Sequence, residues 1–300
     1  MWSNPRVPFC LSSDRPKLAP LDGKPLIVNV VMNIEYWPFD RQMPRGILPA
    51  PHGRPADPPD VPNFVWVEYG LRCGMPRIMD MLKARDIRAS AFMNAQVADV
   101  YPSLAEAVVA ADWELVGHSW FQRSLKQAED EPEEIARCLA RLQSLDGKKP
   151  RAWLGAGMGE TSATPDLLKA HGIEFLHDWL LDDLPCWMKT EHGPMVAMPY
   201  TFELNDVVNH AVQQSSSDEM LKRLNATLAI FDREMVEQGQ PRIITFGLHP
   251  HIIGVPHIAY HFEKALDVLM ARSDVVFATS SQIGDWFVAA DGTGGAKVMV

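Results

Sequence analysis

Short apolar runs alternate with longer stretches of helical periodicity from residue 26 to the C-terminal end. The first run, 26–32, is largely apolar on both faces, as a strand covered on two sides must be. It stops abruptly at Asn33, Glu35, Tyr36 and Trp37. Helical spacing follows over 74–86, 103–112, 132–147 and 164–172, the last two ended by Gly147 and Gly172. Strand-like runs separate them at 87–95, 113–119, 151–157 and 173–181. Further strands at 195–201 and 242–250 flank a helix near 217–238, and the unit repeats as helix, strand and helix over 260–290. Strands alternating with helices imply parallel βαβ units, and about seven or eight of them without a linker predict a closed α/β barrel. No glycine-rich phosphate loop follows the first strand, which argues against a dinucleotide-binding fold.

Two segments break the rhythm. Residues 1–24 are rich in proline and polar residues and read as an N-terminal arm ahead of a single barrel domain, 25–300. Residues 38–62 are proline-rich and predict a long irregular loop, a feature that often covers an active site.

Composition narrows the function. The chain has 300 residues, 47% hydrophobic and 22% charged, with a formal net charge of -10. That balance excludes a nucleic-acid partner, which rewards clustered Lys and Arg. Cys10, Cys73, Cys138 and Cys186 form no CxxC pair, so neither a disulfide framework nor a zinc ribbon is expected. The first residues lack a signal peptide, and no apolar run reaches the ~18 residues of a membrane span. A cytoplasmic protein with a small-molecule substrate and no membrane partner is the expectation.

In barrels of this type the chemistry comes from the C-terminal ends of several strands. Here those ends carry Asn33 and Glu35, His118, the glycine-rich stretch 155–159, Asp178, Glu203, Asn205 and Asp206, and His249. Glu35, His118 and His249 hold equivalent positions on separate strands. One carboxylate and two imidazoles can act as general base and general acid, or as part of a metal site. His251 follows His249 two residues on; of the other histidines, His52, His171, His177, His192, His210, His257 and His261, most are expected on the surface or in loops. No GxSxG elbow and no strand-end cysteine is present, which leaves water as the nucleophile of any hydrolysis.

At these residues the chain resembles the polysaccharide deacetylase superfamily with the NodB-like fold, and within it the branch of metal-independent allantoinases and cyclic imide hydrolases. The resemblance rests on VVMNIEYW, VEYGLRCGMPRI, VGHSWFQR, DDLPCW, PYTFELND and GLHPHIIGVP, spread over residues 26–288. It implies a distorted (β/α)7 barrel and a homo-oligomer. The deacetylases of that superfamily hold a divalent metal with a first-strand aspartate and an HxxxH pair, a second first-strand aspartate serving as base and a late histidine as acid. Carried over, these positions fall on Asn33 and Glu35, on His118 and Gln122, and on His249. The aspartate pair and the second histidine are missing, so no cofactor is expected; the alternative is a weakly held divalent metal such as zinc on Glu35 and His118.

The function implied is opening of a small cyclic amide, imide or ureide by water. Glu35 would be the base or orient the water, His118 would position the water or polarise the carbonyl, and His249 would be the acid, with Asn33 or the 155–159 backbone as oxyanion donors. Asn33, Tyr36, Trp37, Trp120, Gln122 and Trp187 are the expected substrate-binding residues, the aromatic ones as walls for a ring. Tyr36 and Trp37 stand where allantoinases carry Glu-Gly, which implies a more apolar substrate. The alternatives are a metal-dependent N-deacetylase of an amino sugar and a homologue that binds a small ligand without turnover.

Overall fold

The computed structural model describes residues 3–46 and 57–299. Nine strands form one sheet: β1 (Leu26–Ile34), β2 (Ser90–Met93), β3 (Glu114–Gly117), β4 (Ala152–Trp153), β5 (Phe175–Leu176), β6 (Cys186–Thr190), β7 (Gly193–Ala197), β8 (Arg242–Leu248) and β9 (Val275–Phe277). Their order is β6-β7-β5-β4-β3-β2-β1-β8, with β9 also on β1. Every pairing is parallel except the β6–β7 hairpin.

β1 is the hub. It pairs with β8 along its length, from Leu26↔Arg242 to Met32↔Leu248. Its other edge is shared, β9 taking Leu26–Val28 and β2 taking Val31–Ile34. Beyond β7, a parallel bridge between Asn205 and Gly247 brings the chain back to β8 and curls the sheet into a distorted barrel. All nine residues of β1 are buried, which explains why its sequence does not alternate apolar and polar.

Side chains of a strand point alternately to its two faces. In β1, Val28, Val30, Met32 and Ile34 join the outer core beneath the helices, and Ile27 and Val31 join the barrel interior. The interior column therefore continues upward through Asn33 to Glu35. The same count on the neighbours sends Phe92, Val116, Leu154, Phe175, Met198 and Ile243 inward. Two residues further along these columns lie Asn94, His118, Ala156, His177 and Tyr200, and on β8 the column from Ile243 reaches His249. The polar residues thus collect at one end of the barrel because period-2 geometry puts them there.

Several expected elements differ. β4 and β5 are two residues each, far shorter than 151–157 and 173–181. The chain leaves the ladder just above them, where the Asp178 carboxylate takes the Gly155 N–H at 2.9 Å. The β6 strand was not expected. The end of the proline-rich segment is the helix Val61–Tyr69, which runs into wide-turn helix Gly70–Gly74 and then Met75–Lys83. Pro62 sits in the first turn, where its missing N–H costs nothing, and Asp60 caps the helix by accepting from Asn63 N. His52 and the rest of 47–56 lie outside the described residues. The arm packs on its own chain: Arg6 pairs with Asp166 at 2.7 Å, Arg15 with Asp182 at 3.1 Å, and Leu18 N donates to Gln240 Oε1 at 3.0 Å. No helix among the described residues is long and apolar enough to cross a membrane.

One close crossing fixes the loop after β8. Gly70 lies against the His251 backbone, and Gly74 against the Pro250 carbonyl and Gly254, with no room for a Cβ at either glycine. Overpacking typically costs ~1–3 kcal/mol. Gly70→Ala is expected to lose about that much in chemical denaturation and to displace the His249 loop, whereas Gly147→Ala, a C-cap with open space around it, loses stability without touching the site. Equal activity losses in both would show that the crossing does not position the site.

Candidate active site

Glu35 is buried, 5% exposed, at the top of the β1 column. Its Oε2 accepts the Trp37 indole N–H at 2.7 Å. Its Oε1 faces two imidazoles, His249 Nε2 at 3.5 Å and His118 Nε2 at 3.7 Å. Those separations exceed a direct hydrogen bond and suit a shared proton-carrying group between them. Burial opposes the charge on Glu35, but the facing His118 and His249 rings hold it well below the usual carboxylate range.

The two histidines are held by different partners. His118 Nδ1 lies 2.7 Å from the Leu154 carbonyl, which can only accept, so Nδ1 carries hydrogen and Nε2 of the neutral ring is a bare lone pair. That Nε2 is buried with no hydrogen-bond partner among the described residues. Ser119, next in the chain, adopts a left-handed φ of 62°, a conformation that costs a non-glycine residue on the order of 1 kcal/mol and turns the chain back after His118. His249 Nδ1 bonds Asp206 Oδ1 at 2.7 Å, and Asp206 Oδ2 takes the backbone N–H of His249 at 2.6 Å and of Ile253 at 3.2 Å. Burial disfavours charge on His249, but Asp206, with Glu35 second, outweighs it and carries the imidazole up to about 10. His249 is therefore an imidazolium near neutral pH.

A second set of residues braces these. Asn205 accepts from Val207 N and Val208 N, which seats the start of the Val207–Val212 helix and with it Asp206. Asn205 Nδ2 and Asn33 Nδ2 both donate to the Tyr200 hydroxyl, at 3.2 and 3.0 Å. Asn33 Nδ2 also donates to the Leu248 carbonyl at 3.1 Å, which fixes the amide orientation and leaves Asn33 Oδ1 buried without a partner among the described residues. Tyr200 accepts twice, and nothing among the described residues takes its own proton. Burial raises its pKa, so the hydroxyl stays protonated. Asn94 ties β1 to β3, accepting from Tyr36 N at 2.8 Å and donating to the His118 carbonyl.

These groups line a cavity of about 930 Å³, with Glu35, His118 and His249 at its floor, Asn33 and Tyr200 beside them, and Trp37, Gln122 and His251 on its walls. A second depression of about 1030 Å³ lies between the helices Met75–Lys83 and Pro102–Ala110, and none of the three floor residues reaches it.

Of the expected binding residues, Asn33, Trp37 and Gln122 face the cavity, and Tyr36, Trp120 and Trp187 do not. Tyr36 turns outward onto Tyr101, ring centroids 6.0 Å apart. Trp120 is buried under the Arg137 guanidinium, 3.5 Å from its ring. Trp187 donates to Asp291 at 2.7 Å and packs on Phe287, on the far side of the sheet edge. Tyr36 and Trp37 therefore do not make the pocket apolar, since one points away and the other's N–H serves Glu35.

Asn33 is not an oxyanion donor, because its NH2 is already committed. In the 155–159 stretch the N–H groups of Gly155, Met158 and Gly159 are engaged by Asp178, Gly155 and Ala156, which leaves those of Ala156 and Gly157. His177 is buried, not at the surface, and His251 is buried beside the site. Burial brings His177 down to about 3, and burial, then repulsion from His249, brings His251 down to about 4, so both are neutral. His251 packs edge-on between Trp37 and His249, with centroids at 5.7 and 5.8 Å.

The donor set does not suit a firmly held divalent metal. Asp206 keeps His249 protonated, and Gln122 Oε1 accepts from Asn94 at 3.3 Å, so Glu35 and His118 remain, short of the three protein ligands usual for catalytic zinc. Among the described residues no cluster of three or more His, Cys, Asp or Glu is placed to hold a metal ion.

Comparison with known proteins agrees with the resemblance read from the sequence. Residues 62–176 match the polysaccharide deacetylase family model. The "Putative polysaccharide deacetylase" of Schizosaccharomyces pombe is 26% identical over 257 residues, 79% of each chain. The crystal structure of PuuE allantoinase superposes with a TM-score of 0.78 at 24% identity, covering 92% of this chain and 95% of that one. A probable polysaccharide deacetylase from Pseudomonas aeruginosa PAO1 gives 0.78 at 22% identity over the same shares. These structural likenesses establish the fold.

The Asp206–His249 pair makes a stability prediction. The His249 pKa is raised from an ordinary 6.5 to about 10, so its contribution is complete below about pH 6.5 and is lost as pH climbs through about 10. Asp206→Asn is expected to lower the unfolding free energy at pH 7 and to flatten its decline between pH 7 and 10. A variant whose stability falls with pH as steeply as the parent's would contradict the pairing.

Proposed function

We propose that this chain, a barrel of the polysaccharide deacetylase type, hydrolyses a carbon–nitrogen bond in a small cyclic amide, imide or ureide without a tightly bound metal. The observation that carries this reading is the placement of two imidazoles on either side of Glu35 Oε1, His249 with its Nδ1 on the Asp206 carboxylate and His118 with its Nδ1 on a peptide carbonyl. General acid–base catalysis needs such a pair, one holding a proton and one free to take it.

In the proposed reaction a water molecule sits between Glu35 Oε1 and His118 Nε2. Glu35, held well below the usual carboxylate range, is a weak base, which favours the second of its two expected roles, orienting the water. His118 Nε2 takes the water's proton as its oxygen bonds to the ring carbonyl carbon. The charge developing on the carbonyl oxygen is met by the unspent Tyr200 hydroxyl proton; such a donor is worth roughly 3 kcal/mol where it has been measured. His249 then protonates the ring nitrogen as the carbon–nitrogen bond breaks, and a carboxylic acid and a free amide, urea or amine nitrogen result. Asn33 Oδ1, an acceptor with no partner among the described residues, suits an N–H of the substrate ring. The second reading is a metal-dependent N-deacetylase, favoured by the family model that the chain matches.

The test is a screen of ring opening over hydantoins, succinimide-like imides, lactams and allantoin, with and without chelator, beside release of acetate from N-acetylated sugars. Chelator-resistant ring opening is expected, with Tyr200→Phe lowering kcat by about 100-fold and His249→Ala by at least as much. Stoichiometric metal in the purified protein, with activity lost to chelator, would replace this reading with the deacetylase.

A further inference from the structure

The rim of the catalytic cavity is basic. Arg41, Arg45, Arg123 and Lys126 line it, and Glu35 is the one acidic residue among the described lining residues. Glu35 is already engaged by Trp37 and by the two histidines. This concentration of cations runs against a chain whose formal net charge is -10.

The cations are incompletely neutralised. Arg123 pairs with Glu134, yet its Nε is buried with no acceptor among the described residues. Arg41, Arg45 and Lys126 make no ion pair among the described residues, although Asp40 is the neighbour of Arg41 in sequence. Arg41 and Arg123 both stand over the Phe121 ring, 5.0 and 4.8 Å from its centroid. The ring thus anchors two of the lining guanidinium groups, and guanidinium forks are the side chains best shaped to meet an anion.

We propose that the substrate ring carries a carboxylate, bound at the cavity mouth by the guanidinium groups of Arg41, Arg45 and Arg123 while the scissile carbonyl sits over Glu35 and His118. This rests on the amidohydrolase reading of the same cavity. The planar fork of arginine matches a carboxylate in two parallel hydrogen bonds, and the open rim lets the anion stay partly hydrated. The predicted substrate class is thus an acidic cyclic amide, imide or ureide.

The experiment uses matched ligand pairs, each a ring bearing a carboxymethyl group and its methyl ester, on hydantoin, succinimide and lactam scaffolds. Binding is read by calorimetry and turnover separately, on the intact chain and on the double variant Arg41→Ala/Arg45→Ala. Arg123 is left in place because its removal would also strand Glu134. At least one carboxylate is expected to bind about 10-fold or more tighter than its ester, a preference that shrinks in the double variant and with added salt. A panel in which no carboxylate is preferred, or in which the preference survives in the double variant, overturns the inference. Carboxylate preference without ring opening would leave this inference standing and overturn the proposed reaction; ring opening with no such preference would do the reverse.

Discussion

The contact on which the site depends is Asp206 to His249. One buried carboxylate accepts the imidazole Nδ1–H, the backbone N–H of the same residue and that of Ile253. It therefore sets the protonation of the ring and the path of the loop that carries it. The loop is pinned from the other side by the close crossing at Gly70 and Gly74 and by Trp66, whose indole donates to the His251 carbonyl at 2.6 Å. A charged imidazole at that point then allows Glu35 to remain ionised although it is buried. Burial alone would raise the Glu35 pKa; the facing His118 and His249 rings bring it down.

The charge pattern also bears on how the proposed reaction would proceed at positions where the superfamily's deacetylases hold a metal. A divalent ion would supply both an activated water and an electrophile for the carbonyl. In the proposed reaction those roles are divided. His118 takes the proton, Glu35 orders the water, and Tyr200, fixed by two side-chain amides, faces the developing negative charge. The separation of acid from base arises from what each ring's Nδ1 touches, a carboxylate for His249 and a peptide carbonyl for His118.

Much of this was legible in the sequence, and the misses have physical causes. The alternation of apolar runs with helical stretches reported the barrel because parallel strands covered on both faces must be apolar throughout. Glu35, His118 and His249 stood out as polar residues ending such runs. Counting by twos up each strand would also have found Tyr200, Asn94 and His177, which share the inward column. Asp206 lies in a loop beyond β7, and its partnership with His249 is purely tertiary. Tyr36, Trp120 and Trp187 were misplaced because the presence of an aromatic residue near a strand end does not reveal which way its ring turns. The helix Val61–Tyr69 was hidden by Pro62, a residue that breaks a helix in its middle but suits its first turn.

The central claim is that one histidine holds a proton while the other offers a lone pair. Histidine side-chain nitrogen NMR on labelled protein at pH 8 tests it most directly. His249 is expected with both ring nitrogens protonated and His118 with its hydrogen on Nδ1. A neutral His249 at that pH, or a His118 protonated on Nε2, would contradict it.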